Sequence, residues 1–230
     1  MNCIVPLAGP DFFNPKYGIK PLIPYKGKKL LEYLLTARPW YKDIKEFIFV
    51  LQDTPFSQEF IQQIGISNAR FVKITNTTKG ALLTSVAAIS IIHRFFEPLV
   101  LDLADIEYDG IDFDPKELFA QTMMSGIIPY FNSNDPAYSY VVADDNDMLL
   151  NCAEKKVISN NASAGTYFFK DTATFLQAVN GVLINANDYF VNNNLYICPA
   201  YNELVKLKKS ILTAKVNLIE SVSKKLKDII

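Results

Sequence analysis

Two stretches decide how this chain is read: Ile4-Val5-Pro6-Leu7-Ala8-Gly9, which runs on to Lys20-Pro21-Leu22-Ile23-Pro24, and Pro98-Leu99-Val100-Leu101-Asp102-Leu103-Ala104-Asp105. The first is an apolar strand that breaks at a glycine and returns to a lysine stiffened by prolines. That order suits backbone contact with a nucleotide, followed by a cation near its phosphates. The second is an apolar strand that ends on an acid. In open α/β sheets the ligand crevice lies outside the carboxyl ends of the strands, so Lys20 and Asp105 delivered there would face one phosphate and its magnesium.

Outward from these runs, short apolar segments predict strands at 2–7, 46–52, 70–74, 98–104 and 125–131. Helical patterns fall between them at 28–37, 55–64, 80–94 and 115–123. Strand and helix in alternation imply crossover connections and a mostly parallel sheet covered on both faces. The segment from Gly80 is apolar nearly all round and predicts one of the most buried helices, with His93 near its end as a structural residue. From Tyr138 the pattern changes to a hairpin, 138–143 and 148–154, around Asp144-Asp145-Asn146-Asp147. A strand at 164–169, a helix at 171–184 and a helix starting near Pro199 follow. The fold class expected is a single-domain, Rossmann-like α/β fold with a mixed, mostly parallel sheet flanked by helices. Residues 1–135 are expected to make one half of it, and 136–230, where the pattern changes, the other.

Composition narrows the function. A chain of 230 residues, 50% hydrophobic, can bury one large core. Its formal net charge of -1, with lysines spread rather than massed, argues against nucleic acid as a main partner. The runs Lys26-Gly27-Lys28-Lys29 and Lys206-Leu207-Lys208-Lys209 read as solvated turn and helix surfaces. The apolar region from Ala81 to Phe96 is interrupted by polar residues and falls short of the roughly twenty apolar residues of a membrane span. The start carries no basic-then-apolar export signal, and the 3 cysteines have no metal or redox spacing. Cytoplasmic location with reduced, structural thiols is the expectation.

Individual residues carry competing readings. Lys20, before Pro21, is pushed toward extended geometry and projects from a stiff loop, as a phosphate-binding cation or a solvated loop lysine would. Lys16 has the same alternatives. Asp105 either caps a turn or holds a hard cation; Asp102, earlier in the strand, points to the opposite face and reads as structural. Thr78 and Gly80 would cap and open the buried helix, with Thr78 as N-cap. Glu154-Lys155 ends a strand as a surface ion pair unless a ligand reaches it. Gly165 permits close backbone approach, and Asn202-Glu203 would otherwise lie on a helix surface.

The order of further pieces is distinctive: Thr78-Lys79-Gly80-Ala81, Asp105, Ser139-Tyr140-Val141-Val142, Ala153-Glu154-Lys155, then Ser159 to Lys170 with Gly165, and Asn193 to Leu204. Through these motifs the chain resembles, almost end to end, the sugar-phosphate nucleotidyltransferases, particularly the short forms of bacterial capsule and surface-polysaccharide pathways. The resemblance implies the GT-A-like nucleotidyltransferase fold, a nucleoside triphosphate and a sugar 1-phosphate as substrates, and magnesium held by Asp105. It assigns Lys20, Asp105 and Lys16 to catalysis. Leu7, Ala8, Gly9, Thr78 and Gly80 go to the nucleotide; Glu154, Lys155, Gly165 and Asn202 go to the sugar. It leaves a homo-oligomer open.

The departures matter as much. The family loop reads roughly Gly-x-Gly-Ser/Thr-Arg, whereas here it is Gly9-Pro10-Asp11-Phe12-Phe13-Asn14-Pro15-Lys16, without the arginine and with Asp11 where the family places cations. The family's late Leu-Gly-Thr-Pro-Glu-Asp turn is replaced by Ile219-Glu220-Ser221-Val222-Ser223. Two rivals follow: a non-catalytic nucleotide-sugar binding homologue, and a glycosyltransferase on the related fold. Against the second stands the missing Asp-x-Asp.

Overall fold

A computed structural model describes residues 1–222 and Lys225. Its centre is a 10-stranded sheet. From one edge to the other the strands run Leu149–Glu154, Ser139–Ala143, Asn161–Ser163, Met124–Asn132, Thr166–Phe169, Leu99–Asp102, Asn2–Pro6, Glu46–Gln52 and Ala69–Ile74, with Ser210–Lys215 paired to Met124–Asn132. Thr166–Phe169, Asn161–Ser163 and Leu149–Glu154 oppose the shared direction of the others. The sheet is therefore mixed and mostly parallel, with the antiparallel pairs gathered in the second half of the chain.

The first half is built from runs apolar on both faces, as a doubly covered sheet requires. Ile4, Ile48, Val50 and Leu101 pack on one side, with Leu82 and Phe175 from helices Ala81–Ala87 and Thr172–Ile184. Cys3, Val5, Phe47 and Phe49 pack on the other, with Leu31 and Leu35 of Leu30–Thr36 and Phe60 of Pro55–Gln63. Neighbouring side chains alternate between the two cores, which is the period of a strand. From Asn2–Pro6 the chain moves outward to Glu46–Gln52 and Ala69–Ile74, then crosses back to place Leu99–Asp102 on the other side of Asn2–Pro6. The strand order reverses there, and the loops leaving the two strands diverge to open a crevice.

Several sequence expectations need correction. The helix expected over 80–94 is α-helical only at Ala81–Ala87 and tightens into a 3₁₀ turn at Ala88–Ile91. His93 lies beyond it, exposed in a bend. The helix N-cap is Gly80, not Thr78. Gly80 has φ +99, and a Cβ there would sit 2.3 Å from the Leu195 carbonyl oxygen, so only glycine fits. The Thr78 hydroxyl instead meets the Thr84 hydroxyl at 2.6 Å. The basic runs are not simply solvated: Lys26 pairs with Glu107 at 2.7 Å and Lys206 with Glu203 at 2.6 Å. Ile219 to Ser221 belong to a strand, Asn217–Ser221, paired with Ile106–Asp109; Ser223 lies outside the described residues.

Beneath the crevice Asp102 is fully buried against Arg38, with Nε–Oδ2 at 2.8 Å and Nη2–Oδ1 at 3.0 Å. Asp102 Oδ1 also accepts the Ala104 N–H at 2.8 Å. Ala104 sits at φ +50, an uncommon conformation for a residue with a Cβ, and this bond helps to hold it. The structural reading of Asp102 thus has a definite content: it shapes the turn that delivers Asp105. All 3 cysteines, Cys3, Cys152 and Cys198, are buried and free. No helix among the described residues is long and apolar enough to cross a membrane.

Candidate functional site

The crevice is a cleft of about 630 Å³. One wall is the loop after Asn2–Pro6, with Leu7, Ala8, Gly9 and Asp11 followed by Lys20. The opposite wall is Leu103-Ala104-Asp105. Thr78 and Gly80 close a third side, and Lys155, Asn194 and Tyr196 stand at the sugar side expected from sequence. Residues far apart in the chain thus converge where the strand order reverses.

Lys20 opens a 3₁₀ turn, Lys20–Leu22, whose proline stiffens it as the sequence suggests. It is brought back beside Asp11 by the short hairpin of Phe13–Asn14 and Gly18–Ile19. Its Nζ lies 2.8 Å from Asp11 Oδ2. The acid that replaces the expected cation therefore occupies the lysine.

Asp105 is the second anchor. Its Oδ1 is buried and has no hydrogen-bond partner. Burial pushes the carboxyl above its ordinary range, with Lys20 opposing the rise and Asp102 and Asp11 adding to it. An orphaned buried carboxylate oxygen is costly unless a ligand completes it. Among the described residues no group of three or more His, Cys, Asp or Glu is arranged for a metal. Magnesium asks for less: one or two carboxylates, with water and phosphate oxygens making up the rest. The Asp105 donor fits that chemistry, and Asp11 is near enough to feel its charge.

The other expected site residues divide. Lys155, at φ +51, sends its Nζ to the Tyr196 hydroxyl at 2.8 Å and over that ring at 4.9 Å. Its neighbour Glu154 turns inward off the cleft wall, hydrogen-bonded by the Ser139 hydroxyl; burial pushes its carboxyl up to about 7. The two are therefore not a surface ion pair. Gly165 lies behind Asp105, where a Cβ would come within 3.1 Å of Asp105 Oδ1. It makes room for the carboxylate and does not itself line the cleft. Lys16 is exposed on the outer loop, away from the cleft lining.

Asn202 is drawn away altogether: it accepts the Cys152 N–H at 2.8 Å and donates to the Cys152 carbonyl at 2.7 Å, fastening its helix to the hairpin. Glu203 is buried, not on a helix surface, with Tyr189 and Lys206 as partners. Asn194 and Tyr196 also line the cleft, though the sequence marks them only by their place in the motif from Asn193 to Leu204; Leu195 between them packs its backbone on Gly80.

No family model matches the sequence, and no curated protein matches it. Solved structures do match in fold. A nucleoside-diphosphate-sugar pyrophosphorylase from Vibrio cholerae RC9 superposes with a TM-score of 0.83 at 20% identity, covering 99% of this chain and 98% of that one. A UDP-glucose pyrophosphorylase complexed with UDP-glucose gives 0.72 at 17% identity, with 99% and 98% covered. The inositol-1-phosphate CTP transferase from T. maritima gives 0.67 at 11% identity, with 93% and 84% covered. The chain has the sugar-phosphate nucleotidyltransferase fold over essentially its whole length.

Proposed function

We propose that this protein is a sugar-phosphate nucleotidyltransferase, joining a sugar 1-phosphate or similar small phosphorylated molecule to a nucleoside triphosphate with release of pyrophosphate. The observation that carries the reading is the meeting of Lys20 with Asp105, whose buried Oδ1 has no hydrogen-bond partner, across one cleft at the switch point of the sheet. The acceptor phosphate is already an anionic nucleophile, so no general base is required. Its oxygen bonds to the α-phosphorus while the bond to the bridging oxygen breaks, and pyrophosphate leaves.

The chief barrier is repulsion between anions, and the protein's task is in-line positioning and charge neutralisation. Asp105 would hold magnesium, which supplies Lewis-acid neutralisation of the phosphates when bound. Lys20 sits by the α-phosphate, the backbone of Leu7, Ala8, Gly9 and Gly80 approaches the nucleoside, and Thr78 supports that lip. Lys155 faces the sugar phosphate. Glu154, Gly165 and Asn202, off the cleft wall, act only through the residues they support, and Lys16 lies on the outer loop. We read the product as a precursor for surface polysaccharide such as capsule, made in the cytoplasm; the sequence resemblance is the support for that finer role. Pyrophosphate release across a panel of nucleoside triphosphates and sugar 1-phosphates tests the reaction. Turnover with at least one pair is expected, and none with any pair would remove it.

The Asp11–Lys20 ion pair favours a second reading: a site for a ligand with fewer phosphates than a triphosphate, as in a nucleotide-sugar binding homologue. Removing the Asp11 charge separates the two. With Asp11→Asn, triphosphate affinity should rise about tenfold as Lys20 is released and a like charge is lost, measured by calorimetry in magnesium. Parent protein that prefers a diphosphate sugar and releases no pyrophosphate would support the binding reading.

A further inference from the structure

A second concavity, about 370 Å³, lies at the opposite end of the strands from the cleft. Its place follows from strand register. Lys170 follows Thr166–Phe169, and Phe169 pairs with Leu99 at the start of the strand whose far end leads to Asp105. Ser210 likewise pairs with Met124 at the start of Met124–Asn132. The groove therefore opens at the amino ends of the parallel strands, and the nucleotide cleft opens at their carboxyl ends.

Three lysines from separate parts of the chain line it: Lys170, and Lys208 with Lys209. Among the described residues none of the three has an ion-pair partner. Asp171 is the only carboxylate in the lining. Its Oδ1 is already committed to the Thr174 N–H at 2.7 Å and the Thr174 hydroxyl at 2.8 Å, as the cap of helix Thr172–Ile184. The turn bearing the lysine pair is fixed rather than loose. Lys208 is held at φ +57 by its N–H to the Val205 carbonyl at 2.8 Å, and the Lys209 N–H reaches the Leu204 carbonyl at 2.9 Å. Thr174 and Gln177 add neutral polar groups. In a chain of net charge -1, three lysines lining one hollow are a local departure.

We propose that this groove binds a small phosphorylated metabolite through its phosphate group, at a site separate from the nucleotide cleft. Lysines are point-charge phosphate ligands, and an anion bound among them offsets their like charge. The volume is that of a small-molecule site. The near-zero net charge of the chain argues against a polyanionic surface or nucleic acid as the occupant, since either demands a broad basic face.

The test uses the full chain and inorganic phosphate, added at constant ionic strength and followed by amide nitrogen–proton NMR. Amides of Thr174, Lys209 and Ser210 should shift saturably. In Lys170→Gln/Lys209→Gln, which touches nothing in the nucleotide cleft, the dissociation constant at these amides should rise by at least about tenfold while the rest of the spectrum stays in place. Non-saturating shifts, or equal constants in parent and double variant, would overturn the site. Amides of Gly9 and Asp105 report the nucleotide cleft separately, so failure of the proposed reaction leaves the groove test readable. A parallel flotation with phosphatidylcholine vesicles containing phosphatidic acid separates free phosphate from a lipid headgroup. No flotation is expected, and flotation without a response to free phosphate would overturn the metabolite assignment.

Discussion

Asp105→Asn should lower pyrophosphate release by about 10²–10³-fold, the usual scale for losing one charge-organising group, and shift the magnesium dependence to higher concentration. The same change should raise stability. The Asp105 carboxyl is pushed above its ordinary value chiefly by burial, so its ionised form costs the folded state free energy. For an acid whose folded pKa is raised, the penalty is absent below the unfolded value and grows as pH rises toward the folded one. In metal-free buffer the asparagine variant should therefore melt above the parent at neutral pH, with the gap closing below about pH 4. A variant that lost both activity and stability would point to a structural carboxylate. Unchanged magnesium titrations would remove Asp105 from metal binding.

Arg38→Met should cost about 3–5 kcal/mol, because it strands the fully buried Asp102 charge without its partner. Urea denaturation measures this. Removing both charges, as in Arg38→Met/Asp102→Leu, should recover most of the loss, since a well-packed apolar pair can match a buried ion pair. Activity should not recover with it: the Ala104 N–H loses the acceptor that holds its turn, and Asp105 is carried on that turn. Full activity in the double variant would show that the turn stands without Asp102.

The sheet's first half was legible because Ile4, Ile48 and Leu101 sit in continuous apolar runs, a local signal that doubly covered strands produce. The cleft walls were legible for a related reason, since glycine, proline and terminal aspartate mark where such strands stop. What escaped the reading depends on partners distant in sequence. Nothing near Asn202 announces that its amide will serve Cys152. Glu203 reads as surface until Tyr189 and Lys206 surround it. Glycine at 80 was legible as a special backbone position, but its cause is Leu195, far along the chain. The same holds for Lys20, whose projection follows from Pro21 while its partner Asp11 is supplied by the intervening hairpin.

The contact between Gly80 and Leu195 also limits how this scaffold can be recombined. The Leu195 N–H donates to the Lys79 carbonyl at 2.9 Å, and the Leu82 N–H donates to the Leu195 carbonyl at 3.2 Å. A segment adjoining Tyr196, on the side proposed for the sugar, thus serves as mould for the lip proposed to touch the nucleoside. Transplanting a foreign acceptor half to change sugar preference would replace that mould, and the base preference would drift with it. Modular engineering of this protein has to carry the Leu195 strut along with the Gly80 loop it shapes.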